Sequence, residues 1–230
     1  MAKVRHVVGL VVLGAVVIAA GTVAARSADG LPEMPTAAAS SAAPSASATP
    51  TPSQTSAAPV TFGVVGDSIT AWIGQEAGSW TSYVDSDVLF TEQGWAQNGA
   101  PLALMKANTP RMNADVLVIL AGTNDLAGTM TVSAKLGLLD DIVEESGVEH
   151  ILISSVPPFD LNPVLSTAWN RELKQHAADE GYDFVDSWVN ARTADGTYIP
   201  AHTVDGIHPT PGAASQAAAV IGRAIVSADE

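Results

Sequence analysis

Residues 60–70 read VTFGVVGDSIT, and this stretch decides the fold. Residues 60–65 are apolar without strict alternation, the pattern of a strand covered on both faces. They run directly into Gly66-Asp67-Ser68, a glycine-containing turn that leads toward a helix. The pattern recurs downstream. Residues 115–121 (DVLVILA) and 150–156 (HILISSV) predict two further buried strands, and 88–90 and 182–185 predict two weaker ones. Between them, Val132, Leu136, Leu139 and Val143 repeat at helical spacing, and Asn162-Pro163 is a cap and first-turn pair for a helix carrying Leu165, Trp169, Leu173 and Ala177. Pro211 opens a last helix with Ala217, Val220, Ile221, Ala224 and Ile225 on one stripe. Strand and helix in alternation predict an α/β domain over 60–230, a three-layer α/β/α sandwich around a mostly parallel five-stranded sheet.

In such sheets the functional crevice lies outside the carboxyl ends of the strands. Chemistry-bearing residues follow the predicted strands here: Ser68 after the first, Gly122-Thr123-Asn124-Asp125 after the strand ending near Ala121, and Asp205-Gly206-Ile207-His208 before the last helix. A serine hydroxyl is a weak nucleophile until a neutral imidazole takes its proton, and a carboxylate three residues before the histidine reaches Nδ1 while Nε2 faces outward. The Ser68 N–H, at a helix start, points toward a developing oxyanion, and the Asn124 side-chain amide can donate to the same oxygen. Gly99 in Asn98-Gly99 would let a substrate approach a free backbone N–H. Taken singly, each has a plainer reading: Ser68 as a turn residue or cap, Asp205 as a cap beside an exposed His208, and Asn124 and Gly99 as turn residues.

Together the blocks GDSIT, GWAQNGA, GTND and DGIHP resemble the SGNH (GDSL) hydrolase superfamily over nearly all of residues 60–230. The resemblance implies a flavodoxin-like three-layer fold, a triad of Ser68, His208 and Asp205, and an oxyanion hole of Ser68, Gly99 and Asn124. Two features depart from the family pattern. The glycine block lacks the usual Asn-x-Gly lead-in, and Trp72 stands where a small residue is common. A bulky Trp72 would narrow the acyl pocket and favour acetyl or other short groups. Trp72 and Trp95, close in sequence to the site, are expected to contact substrate, whereas the other three tryptophans read as core.

The chain has 230 residues and no cysteine, which excludes disulfides, thiolate metal sites and a cysteine nucleophile. His150, His176 and His202 share no ligand spacing, and no phosphate loop or dinucleotide fingerprint occurs. No metal and no cofactor are expected. Of 10 basic and 24 acidic residues, setting aside Lys3, Arg5, Arg26, Asp29 and Glu33 leaves 7 against 22 in the domain. That balance repels phosphate backbones and disfavours nucleic acid as a partner. Lys3, Arg5 and His6 precede an apolar run over 7–25, so residues 1–28 read as a signal peptide or an uncleaved signal anchor. Residues 29–59, rich in Ala, Ser, Thr and Pro, read as a disordered linker. The domain is therefore expected outside the cytoplasm, secreted or tethered to the outer face of the membrane, with contact to the membrane only through that first segment.

The expected activity is hydrolysis of short esters, acetyl above all, on a small molecule or polysaccharide. A lysophospholipase or short-chain lipase, an acyltransferase and a catalytically silent glycan-binding domain are the alternatives. Oligomeric state is not encoded in any pattern of the sequence.

Overall fold

The structure is a computed structural model that describes residues 59–71, 79–85 and 88–228. The segments read as signal and linker lie outside the described residues except for Pro59, and so does Trp72. Five strands, β1 (Val60–Gly66), β2 (Val88–Ala96), β3 (Val116–Leu120), β4 (His150–Ser154) and β5 (Asp183–Val185), form one sheet in the order β2-β1-β3-β4-β5. Every neighbouring pair is parallel. The helices are α1 (Ser68–Ala71), α2 (Leu102–Asn108), α3 (Val132–Ser146), α4 (Pro163–Glu180) and α5 (Pro211–Ala228). Among the described residues no helix is long and apolar enough to cross a membrane.

The period-two alternation of a strand sorts side chains to the two faces. Val116, Val118 and Leu120 enter one core with Phe62, Val64 and the α5 residues Ala217, Ile221 and Ile225. Leu117 and Ile119 enter the other, with Leu102 and Met105 of α2, Leu139 and Ile142 of α3, and Trp169 and Leu173 of α4. The result is the three-layer sandwich. Full burial of one such aliphatic side chain stabilises the fold by about 2 kcal/mol. Small residues on the inner stripe of α5, Ala213, Ala214, Ala217, Ala218 and Gly222, let that helix lie close against the sheet.

Several local features differ from the sequence expectation. The buried stripe of α3 is Lys135, Leu139, Ile142 and Ser146, so Val132 is exposed and Leu136 and Val143 are only partly covered. Pro163 opens α4 as expected, but the Asn162 side chain makes no cap hydrogen bond. On α5, Val220 and Ala224 are only partly covered. The strand expected over 88–90 continues to Ala96 through Thr91 and Gln93, whose polarity hides it. Its register against β1 shifts between Phe62 and Val64, where Gly94 sits at φ 112°. A Cβ at Gly94 would lie 1.9 Å from the Val64 carbonyl oxygen, so only glycine fits this bulge.

Gly94→Ala is accordingly expected to cost about 2 kcal/mol or more. Urea titration of the variant beside the wild type measures it. An unchanged midpoint would show that β2 relaxes around the added methyl.

Candidate active site

The polar site lies where β1 and β3 end. At the end of β1, the Asp67 carbonyl accepts from the N–H groups of Thr70 and Ala71 at 3.1 and 2.8 Å, and its Oδ1 accepts from the Ile69 N–H at 3.0 Å. Asp67 therefore caps α1. Ser68 is the first helical residue, where no earlier turn supplies a carbonyl for its N–H. Gly66 is required by the sharpness of this reversal: a Cβ there would lie 2.4 Å from Thr70 Oγ1 and 3.1 Å from the Leu120 carbonyl.

The loop before α5 is folded by its own side chains. Asp205 Oδ1 accepts from the N–H groups of Ile207 and His208 at 3.0 and 2.8 Å, while the Thr203 hydroxyl accepts from Gly206 at 2.8 Å and donates to the His208 carbonyl at 2.9 Å. Buried Tyr198 ties the loop down, its hydroxyl donating to the Ile207 carbonyl at 3.1 Å. This fold leaves Asp205 Oδ2 free for the ring. Oδ2 lies 2.8 Å from His208 Nδ1, and His208 Nε2 lies 3.0 Å from Ser68 Oγ.

The charge state of Asp205 sets the proton positions. Burial alone would raise its carboxyl, but the hydrogen bond from the His208 ring and the N–H groups of His208 and Ile207 outweigh it and hold the group below the usual carboxylate value. An ionised carboxylate only accepts, so Nδ1 carries the ring proton and Nε2 is left to accept from the serine hydroxyl. That is the arrangement in which a base can take the hydroxyl proton. The side chain of His208 is 16% exposed and that of Asp205 46%, so the pair is reached from solvent on the carboxylate side.

Asn124 follows β3 in a single 3-10 turn, Thr123–Asp125, and its Nδ2 donates to the Ala100 carbonyl at 3.0 Å, which joins it to the Asn98-Gly99 turn. In that turn the Ala100 N–H donates to the Gln97 carbonyl, and Gly99 has φ 73° with open space where a Cβ would be. That bond uses one of the two amide hydrogens of Asn124. Trp95 is half-buried and lines an apolar cavity of about 160 Å³ bordered by Thr70 and Ala71; Ser68, Asp205 and His208 do not line it. Trp80, Trp169 and Trp188 are core residues. Among the described residues no group of three or more His, Asp or Glu is placed to hold a metal ion.

Sequence reasoning gives no role to the residues that hold the Asn124 turn. Lys135, buried on α3, donates to the Asp125 carbonyl at 2.6 Å and lies 5.6 Å from the Trp169 ring centre. Trp169 donates to the Ala121 carbonyl at 3.1 Å, and a Cβ at Gly122 would lie 2.3 Å from its indole nitrogen. Asp125 Oδ2 accepts from the Leu102 N–H at 3.0 Å. No sequence signal pointed to Lys135, because the apolar repeat of Val132, Leu136, Leu139 and Val143 leaves it off the stripe.

Asp67 likewise has a role that its place in the GDSIT sequence does not show. It is fully buried, and its Oδ2 and the neighbouring Thr123 hydroxyl have no hydrogen-bonded partner of proper geometry. Burial pushes its carboxyl up to about 6; the Ile69 N–H and the Thr123 hydroxyl oppose this, and Asp125 adds to it. With no formed bond, the hydroxyl acts only through its dipole.

This parallel sheet, covered by helices on both faces and carrying a Ser-His-Asp contact at its carboxyl edge, defines a three-layer α/β/α architecture with a hydrolase-type site. A family model of GDSL-like lipases and acylhydrolases matches residues 64–214, and the chain belongs to this family. It is an ester hydrolase. No curated protein sequence matches it. It is similar in fold to a GDSL-like lipase from Bacteroides thetaiotaomicron, with TM-score 0.58 and 18% identity over 73% of this chain and 88% of that one. A member of the lipolytic G-D-S-L family from Veillonella parvula gives TM-score 0.55 and 19% identity over 69% and 93%. A catalytic mutant of an acetylxylan esterase from Geobacillus stearothermophilus gives 0.54 and 17% over 74% and 94%.

The raised Asp67 carboxyl has a thermodynamic consequence of definite sign. Its folded value lies above its ordinary one, so its contribution favours the fold fully below about pH 4 and is lost as pH rises through about 6. Asp67→Asn keeps an acceptor for Ile69 and a donor for Thr123. It is expected to gain stability over the wild type at pH 8, by about 3 kcal/mol at most, and almost none at pH 4. Denaturant titrations at the two pH values measure this, and a loss at pH 8 would mean that the charged form is favoured.

Proposed function

We propose that this protein is an exported serine esterase that removes short acyl groups, chiefly acetyl, from esters carried on carbohydrate. The observation that carries the reading is the continuous contact from Ser68 Oγ through His208 to Asp205, at 3.0 and 2.8 Å. Ser68 Oγ attacks the ester carbonyl carbon while His208 Nε2 takes its proton, and Asp205 holds the tautomer and stabilises the imidazolium. The carbonyl oxygen gathers negative charge at the N–H groups of Ser68 and Gly99 and the Asn124 amide. As the tetrahedral centre collapses, the ester C–O bond breaks and His208 returns the proton to the leaving alcohol oxygen. Water then attacks the acyl-serine, giving its proton to His208, and the acid leaves as Ser68 Oγ is reprotonated.

The carbohydrate assignment draws on the acetylxylan esterase among the similar folds and on the bulk expected of Trp72 beside the nucleophile. Residues 1–28 would direct export as a cleaved signal peptide or remain as an anchor, and residues 29–59 would tether the domain at the outer face. A second reading, short-chain lipase or lysophospholipase, is favoured by exposed apolar side chains next to the histidine loop. Val204 is 57% exposed and Leu161 77%, and the Asp160 N–H donates to the Gly206 carbonyl, which brings the two stretches together.

A chromogenic acetyl ester tests the mechanism. Ser68→Ala is expected to lower kcat by about a thousandfold or more, and equal rates would rule out the serine mechanism. Asn124→Ala is expected to lower kcat about a hundredfold with little change in KM, since the amide donates to charge that develops only in the transition state.

Because a protonated imidazole cannot act as base, kcat/KM is expected to fall on acidification. A flat profile would count against His208. Comparing acetyl, butyryl and octanoyl esters separates the two readings, with a preference for octanoyl favouring the lipase.

A further inference from the structure

We infer that the cavity between α4 and the carboxyl end of β5 is an anion subsite, which takes the carboxylate or phosphodiester of an acidic polysaccharide whose ester group is presented to Ser68. Its link to substrate rests on the esterase reading above; the anion binding itself does not. The cavity holds about 300 Å³, and its wall includes Thr167, Asn170, Arg171, Lys174, Asp186 and Arg192.

The charge distribution singles this place out. The domain has seven basic residues, Lys106, Arg111, Lys135, Arg171, Lys174, Arg192 and Arg223, against 22 acidic ones. Three of the seven converge on one cavity. Its one acidic wall residue, Asp186, is already engaged: it accepts from the Ser155 hydroxyl at 3.0 Å and pairs with Arg192. Lys174 has no hydrogen-bond or ion-pair partner among the described residues. Arg171 meets only its sequence neighbour Glu172, at 3.2 Å with the arginine side chain 76% exposed, a pairing that contributes little. Two cations are thus left facing the cavity.

The wall that presents them is rigid. Asn170 is locked to the end of β4, accepting from the Val156 N–H at 2.7 Å and donating to its carbonyl at 2.9 Å. Thr167, Arg171 and Lys174 follow at helical spacing on the same helix. A guanidinium fork beside an ammonium matches a carboxylate or phosphate oxygen pair and has no comparable use for a neutral sugar.

Position connects the cavity to the serine. Asp186 directly follows β5, and Ser68 follows β1 with only Asp67 between them, so both lie at the carboxyl edge of the same parallel sheet. The order β1-β3-β4-β5 puts three strand spacings between them, roughly 15 Å. A polysaccharide lying along that edge places one unit at the hydroxyl and another, a few units away, over the cations. The acidic remainder of the domain is screened beyond about 8 Å at physiological salt, whereas contacts in the cavity act at hydrogen-bond range.

Calorimetric titration of the full chain at physiological ionic strength tests the subsite, with oligogalacturonate and a phosphomannan oligosaccharide as anionic probes and a neutral xylo-oligosaccharide as control. The wild type is expected to bind at least one anionic probe. The double variant R171Q/K174Q is expected to bind it about tenfold more weakly or worse, with its affinity for the neutral sugar and its Tm unchanged. Which probe binds identifies carboxylate or phosphodiester. Absence of binding by both probes, or undiminished binding by the double variant, overturns the proposal. Failure of the esterase reading shows itself separately, as a wild type that binds an anionic probe but does not turn over a chromogenic acetyl ester.

Discussion

The structure depends on β3, and β1 from Phe62 onward, being dry on both faces. Val116–Leu120 is buried throughout, so every backbone N–H and C=O of that strand must be met by β1 or β4, and every side chain by a helix layer. No polar side chain can be placed along the strand itself. The chemistry is confined to the strand ends: Ser68 follows β1, Asn124 follows β3, and the His208 loop meets Ser68 from the segment before α5. The glycines at the strand ends serve the same constraint. Gly66 and Gly122 let the chain reverse against a neighbouring helix or indole where a methyl group would collide with Thr70 or Trp169.

Much of this was legible from residue patterns, for reasons specific to each element. Residues 60–65, 115–121 and 150–156 announced their strands because a strand buried on both faces is a nearly continuous apolar run, unlike anything in a half-exposed helix. The second half of β2 was not legible. Its bulge at Gly94 breaks the register, and Thr91 and Gln93 look like loop residues until the pairing with β1 is seen. The buried stripe of α3 was displaced by one position because its inner face contains Lys135 and Ser146, which a hydropathy pattern assigns to solvent.

The candidate site divides in the same way. Ser68, Asn124, Asp205 and His208 carry reactive groups on short loops, and local spacing exposes them. Lys135, Trp169 and Asp125 act through backbone carbonyls and N–H groups of the turn around Asn124, contacts that no sequence spacing encodes. Asp67 belongs to GDSIT yet gave no hint of its burial, because the groups that act on its carboxyl include Thr123 and Asp125, more than fifty positions away.

Ser68 and His208 stand 140 positions apart, and the ring reaches the hydroxyl only when the loop before α5 is seated on the sheet. No early-folding fragment can assemble that contact. Closing so long a loop is entropically opposed and is repaid only by the burial of α5 itself. Reactivity toward an active-serine reagent would therefore behave as an all-or-none gauge of completed folding, silent in partly folded chains even where the sheet has formed.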